Sequence, residues 1–103
     1  MAKKKIPEVR YRASRVCRVL GNPTAYEMLH LLSKGRKTPE QLADMLGISI
    51  ITTSQTLRSL RQLDLVRYEV KWRHREYWVK YDAVAKLMAI LETFVRKVGV
   101  REI

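Results

Sequence analysis

Apolar positions recur at three- and four-residue spacing through most of this chain and switch to strict alternation near residue 70. The first spacing is that of a helix with one buried face, and the second that of a strand. Val9, Ala13, Val16 and Leu20 form the first stripe, with Cys17 beside it, and predict a helix over about 7–20 that stops at Gly21. Asn22-Pro23 reads as the cap and first residue of a second helix. Met28, Leu29, Leu31 and Leu32 are its buried candidates, and Gly35 ends it. Thr38, Pro39 and Gln41 repeat the start signal as a capping box, and Leu42, Met45 and Leu46 face inward. Gly47-Ile48-Ser49 makes a tight break, with Ser49 as the cap of a fourth helix that ends near Asp64. Val66, Tyr68 and Val70 alternate with charged residues, as do Tyr77, Val79 and Tyr81. Strands over 65–70 and 76–81 follow. The segment Lys71 to Arg75 lacks the Asn-Gly of the tightest hairpins, so a longer loop is expected there. A last helix begins at Asp82. Val84, Leu87, Met88, Leu91, Val95 and Val98 lie on one face, which Phe94 broadens.

The fourth helix carries the most informative surface. Ile50, Thr53, Leu57, Leu60 and Leu63 point inward, leaving Ile51, Thr52, Gln55, Arg58, Ser59 and Gln62 outward. That outer face holds a cation, amides and hydroxyls, and no acid. A face meant only for water usually mixes both charges, whereas this one suits hydrogen-bond reading in a DNA major groove. Gln55 fits adenine, Arg58 fits guanine or a phosphate, and Ile51 fits a thymine methyl or partial burial on the preceding helix. Ser49, Thr52, Ser54, Ser59 and Gln62 complete the candidate set. Arg67, Lys71, Arg73 and Arg75 would reach phosphates or the minor groove from the hairpin. Trp72 is expected to cover the hairpin's own open face, with packing on sugar-phosphate or insertion at the groove edge as the alternative. His74 is read as a loop residue, His30 as exposed, and Cys17 as a small apolar contact.

Charge supports this picture. The 103 residues carry 21 basic and 10 acidic side chains, a formal +11. Seven bases face one acid over residues 1–18, and seven face three over 58–80. Such an excess suits a polyanion. Charge alone leaves open a nonspecific chromatin or RNA-binding protein. The broad stripe of the last helix leaves open a winged-helix protein-interaction module. No apolar run approaches the roughly 20 residues needed to span a bilayer. The basic start has no apolar segment behind it, and Cys17 has no internal partner, so a cytoplasmic location is expected. No Gly-rich phosphate loop, carboxylate pair or nucleophile with a base supports an enzyme.

The element order is that of a mainly α fold with a small β-hairpin, a winged helix-turn-helix flanked by an extra helix at each end. Three stretches carry a family resemblance: Asn22-Pro23-Thr24 with the following Met28 to Leu32, the turn Gln41 to Ser49, and Thr52 to Val66. Over residues 9–98 the chain resembles the ArsR/SmtB family of small dimeric winged-helix repressors. The resemblance implies one domain over 1–103, with a basic arm at 1–8 and dimerisation helices at 9–20 and 82–98. Val9, Ala13, Val16, Leu20, Val84, Leu87, Met88, Leu91, Phe94 and Val95 would form the homodimer interface. It also implies double-stranded DNA with a pseudo-palindromic operator as the partner, and a repressor as the function. Metal-sensing members carry paired cysteines before the turn, or Asp and His on the last helix. Here TPEQLADML has no cysteine, and Asp82 and Glu92 have no histidine beside them. Cys17, His30 and His74 sit on three separate elements, so no metal or cofactor is expected. No effector is indicated. The wing tip lacks the family's common glycine.

Overall fold

In the computed structural model, residues 5–99 are described. The elements are α1 Glu8–Leu20, α2 Pro23–Ser33, α3 Pro39–Leu46, α4 Ile50–Gln62, β1 Val66–Lys71, β2 His74–Val79 and α5 Asp82–Val98. The expected basic arm falls partly on residues 1–4, outside the described part.

The helix starts are set by local chemistry, as expected. The Asn22 side chain accepts from the Ala25 amide, and Ser49 accepts from the Thr52 amide. Thr38 and Gln41 satisfy each other's backbone donors in a full capping box. Gly47 closes α3 in the left-handed region at φ +65°, where a β-carbon would strain the backbone.

The α2 helix is the hub, packing against α1, α3, α4, α5 and β2. Met28 and Leu29 of α2, Leu42 of α3, Leu57 and Leu60 of α4 and Val66 of β1 are almost fully buried, and Val84 and Met88 of α5 close the core. Each such side chain contributes about 1.5–3 kcal/mol by leaving water. Thr53 is the one buried polar side chain among the described residues, and its hydroxyl donates back to the Ser49 carbonyl at 2.9 Å. Met45 and Ile50, expected inward, are half exposed at the ends of their helices. There the turn carries the chain to the surface before the core is reached.

The hairpin corrects the expected long loop. Both strands extend to the tip, with Lys71 paired to His74 and only Trp72 and Arg73 in the turn. Trp72 supplies the positive φ, +58°, that glycine usually gives such a turn. The register places Tyr68 opposite Tyr77 and Val66 opposite Val79. A third backbone segment joins this sheet. The Lys37 amide donates to the Tyr77 carbonyl at 3.1 Å, and the Tyr77 amide donates to Lys37 at 2.8 Å. The wing is thereby fastened to the α2–α3 connection.

The two outer helices are poorly covered. Leu20 alone is buried on α1, while Val9 is 71% exposed. The apolar surface of α5 splits in two. Val84 and Met88 lie in the chain's own core, and Leu87, Ile90, Leu91, Phe94, Val95 and Val98 remain open. Of the residues expected at an interface, Leu20, Val84 and Met88 therefore lie in the chain's own core, and Ile90, outside that set, is exposed. Cys17 and Trp72 are exposed, against expectation, and His30 is half-buried. Among the described residues, no helix is long and apolar enough to cross a membrane.

Candidate nucleic-acid interface

The exposed face of α4 is as free of acid as its sequence implied. Ile51 is 67% exposed, and Ser54, Gln55, Arg58, Ser59 and Gln62 are all exposed. Burial of Thr53, Leu57 and Leu60 fixes the helix rotation, so this face can only point outward. Some of its hydroxyls are engaged locally. Ser49 donates to the Thr52 hydroxyl at 3.0 Å, and Ser59 donates to the Gln55 carbonyl at 3.3 Å. The amide of Gln55 and the guanidinium of Arg58 have no such tether among the described hydrogen bonds and are exposed.

Between α4 and the wing lies a cleft of about 340 Å³, bordered by Ile50, Ser54, Arg58 and Arg61 on one side and Arg73, Arg75 and Tyr77 on the other. Glu40, at the start of α3, is its one acid. Four guanidinium groups around an open cleft repel one another, and a polyanion in the cleft would relieve that repulsion. Arg61 was not among the expected contacts. Its signal was the i, i+4, i+7 spacing of Ser54, Arg58 and Arg61 along one helical line. Arg61 and Arg75 both lie over the Tyr68 ring, at 5.1 and 4.9 Å. This stacking holds two long cations at the base of the cleft.

The expected wing contacts do not stay together. Register puts Tyr68 and Tyr77 on the face turned toward α4, with Arg75 opposite Val70 on the same side. Arg67 and Lys71 belong to the opposite face. There the Lys71 ammonium is 3.5 Å from Glu69 and 3.3 Å from Glu76. Arg36 joins this cluster, pairing with Glu69 and lying 4.1 Å over Trp78. The guanidinium of Arg36 holds the Glu69 carboxyl below its ordinary range. Lys71 is thus largely neutralised, and Arg73 and Arg75 are the wing cations that share the α4 side. Arg67 and Lys71 thus lie on the hairpin face away from α4, because alternation assigns a face while only the packing of the hairpin says which face meets α4.

At the far end of α4, Asp64 adopts φ +61° and pairs with Lys80, which lowers the Asp64 pKa and raises that of Lys80. This ties the end of α4 to the strand that feeds α5. Among the described residues, no group of three or more His, Cys, Asp or Glu side chains is placed to hold a metal ion.

The model of the family described as bacterial regulatory protein, arsR family, matches residues 22–68, from the α2 cap through the first half of β1. The HTH-type transcriptional regulator Rv0324 of Mycobacterium tuberculosis is 27% identical over 81 residues, 79% of this chain and 36% of that protein. The chain thus spans about a third of the length of that relative. Solved structures repeat the fold. The homodimeric winged helix-turn-helix DNA-binding domain of Mb0332 from Mycobacterium bovis, a possible ArsR-family transcriptional regulator, has a TM-score of 0.79 at 24% identity, covering 94% of this chain and 92% of that one. The transcriptional repressor BigR from Xylella fastidiosa has a TM-score of 0.77 at 21% identity, covering 91% and 96%. Over residues 22–68, just under half of its length, the chain is similar to the bacterial ArsR regulatory family.

Proposed function

We propose that this chain is a homodimeric, sequence-specific DNA-binding regulator of transcription, acting as a repressor by occupying its operator. The observation that carries the reading is the acid-free outer face of α4 continuing into a cleft bordered by four arginines. In this mechanism Gln55, Arg58 and Ile51 read base edges in the major groove. Arg61, Arg73 and Arg75 receive the flanking backbone phosphates, which fix the register of the helix in the groove.

The dimer reading rests on α1 and α5. The described fold leaves Leu87, Ile90, Leu91, Phe94 and Val98 of α5 open together, with Val9 of α1 exposed as well. The radius of gyration is 15.3 Å, against about 13 Å for a compact chain of 100 residues. Two such chains packed through these faces would present their α4 helices to successive major grooves about 34 Å apart, and so read a pseudo-palindrome.

Fluorescence anisotropy tests the proposal. The purified chain is titrated onto a labelled duplex from upstream of its own gene, and onto a shuffled duplex, across a salt series. Preference for the upstream duplex by about a hundredfold, persisting near 0.2 M salt, supports a specific regulator. Equal affinities that collapse together with salt, followed by no enrichment from random DNA, would instead mark a nonspecific polyanion binder.

A further inference from the structure

Trp72 is the most exposed large apolar side chain among the described residues, at 96%. It also sits at φ +58°, the first position of the two-residue turn. Both facts oppose tryptophan there. Glycine or asparagine takes this backbone region with less strain, and an indole in water gains nothing from folding. A shallow recess lined by Thr38, Glu40, Gln41, Lys71, His74 and Glu76, on the hairpin face away from α4, borders the ring without covering it. The wing's own face is filled by Tyr68 and Tyr77, whose rings lie 5.1 Å apart, so the indole is left uncovered by the described residues.

Its neighbours indicate the missing partner. Arg73, the other turn residue, lines the cleft shared with Arg58 and Ser54 of α4. The tip therefore straddles the two hairpin faces, with Arg73 on the side of the proposed reading face and the indole at the end of the wing beside it. A two-residue hairpin tip is narrow, and the minor groove of B-DNA is about 6 Å wide. A flat apolar ring next to a guanidinium suits that groove, where apolar wedges enter between base pairs at easily unstacked pyrimidine–purine steps.

We propose that Trp72 is a base-step wedge. The wing tip enters the minor groove beside the α4 site, the indole stacks at a pyrimidine–purine step, and Arg73 holds the adjacent phosphate. The inference rests on the DNA-binding reading above and adds a second specificity element to it. The step adds selectivity through DNA deformability, at positions where no hydrogen bond reads a base.

Parallel selections from a random 40-bp duplex pool test it, using the full chain and its Trp72→Gly variant. Glycine removes the ring and relaxes the turn, so folding is not put at risk. The wild-type pool should carry a TA or CA/TG step at a fixed distance from the bases read by α4. The Trp72→Gly pool should keep those bases and lose the step. On a wild-type-selected duplex, Trp72→Gly should bind about tenfold more weakly, within the range of a lost base–aromatic stack, and Trp72→Phe should recover most of the loss. Identical pools, or equal affinities of the wild-type and glycine chains, would overturn the proposal. So would a wild-type dimer that loses association on Trp72→Gly, since the ring would then serve a second copy. Enrichment in neither pool would count against base reading by α4. The wedge is then judged by acrylamide quenching of the emission lost on Trp72→Phe, measured with the random pool bound. Shielding would support it, and full accessibility would overturn it.

Discussion

The Tyr26 hydroxyl on α2 donates to the Glu92 carboxylate on α5 at 2.8 Å, across 66 residues of sequence. The same hydroxyl lies 3.3 Å from the Met88 carbonyl oxygen. It is the polar fastening between the hub helix and the helix whose outer face is open. Burial, and then the hydrogen bond and charge of Glu92, push the phenol up from 10.0 to about 12. The neutral phenol is thus favoured in the folded chain. The stabilisation is whole below pH 10 and is lost as pH rises toward about 12. Absorbance at 295 nm should show a late tyrosine ionisation near pH 12, and Tyr26→Phe should abolish that step while costing about 1 kcal/mol in denaturant unfolding. A late step that survives in the variant would refute this assignment.

The acid limb of stability should carry the mark of two exposed carboxyls. Asp64, hydrogen-bonded to Lys80, and Glu69, hydrogen-bonded to Arg36, are held below their ordinary values of 3.8 and 4.5. Both bind protons more weakly folded than unfolded. Their contribution is present above those ordinary values and disappears as pH falls through the lowered ones. Asp64→Asn should flatten the loss of stability below about pH 4. An acid limb identical to that of the parent chain would remove the Asp64–Lys80 pair from the account.

On the α4 face, Gln55→Ala should lose roughly 1–3 kcal/mol on a selected site and little on random DNA. Equal losses on both would argue against base reading. In the cleft, Arg61→Ala and Arg73→Ala should each weaken binding to any sequence and lower the salt slope by about one. Lys71→Ala should change the slope less, because Glu69 and Glu76 already neutralise its ammonium. A full unit lost with Lys71 would place that side of the wing on DNA after all.

The split surface of α5 predicts two separable phenotypes. Phe94→Asp, on the open face, should convert a particle of twice the 12.1 kDa chain mass into the monomer by light scattering, with helical circular dichroism retained. Met88→Ala, in the core at 3% exposure, should cost about 2–5 kcal/mol of stability and leave subunit contact chemistry intact. Unchanged mass in Phe94→Asp would show that this face does not pair the subunits.

Much of the fold was legible because it depends on neighbours within four residues. The Asn22, Thr38 and Ser49 caps, the stop at Gly47 and the rotation of α4 all follow from side chains reaching their own backbone, or from one apolar stripe per helix. Even the outward set on α4 was readable, since burying Leu57 and Leu60 leaves it nowhere else to go. What tertiary structure decided depends on pairs far apart in the chain. The hairpin closes in two residues because the β1–β2 register runs unbroken to the tip, and Lys37, forty residues upstream of Tyr77, fastens β2 on its outer edge. That closure stranded Trp72 in water, turned Arg75 toward α4, and left Arg67 and Lys71 behind. Likewise the single stripe read on α5 divided because Tyr26 and the α2 core took one side of the helix and left the other bare. Periodicity names the faces of an element, but only the packing of its neighbours, set by shape and by partners distant in sequence, determines which face is used and for what.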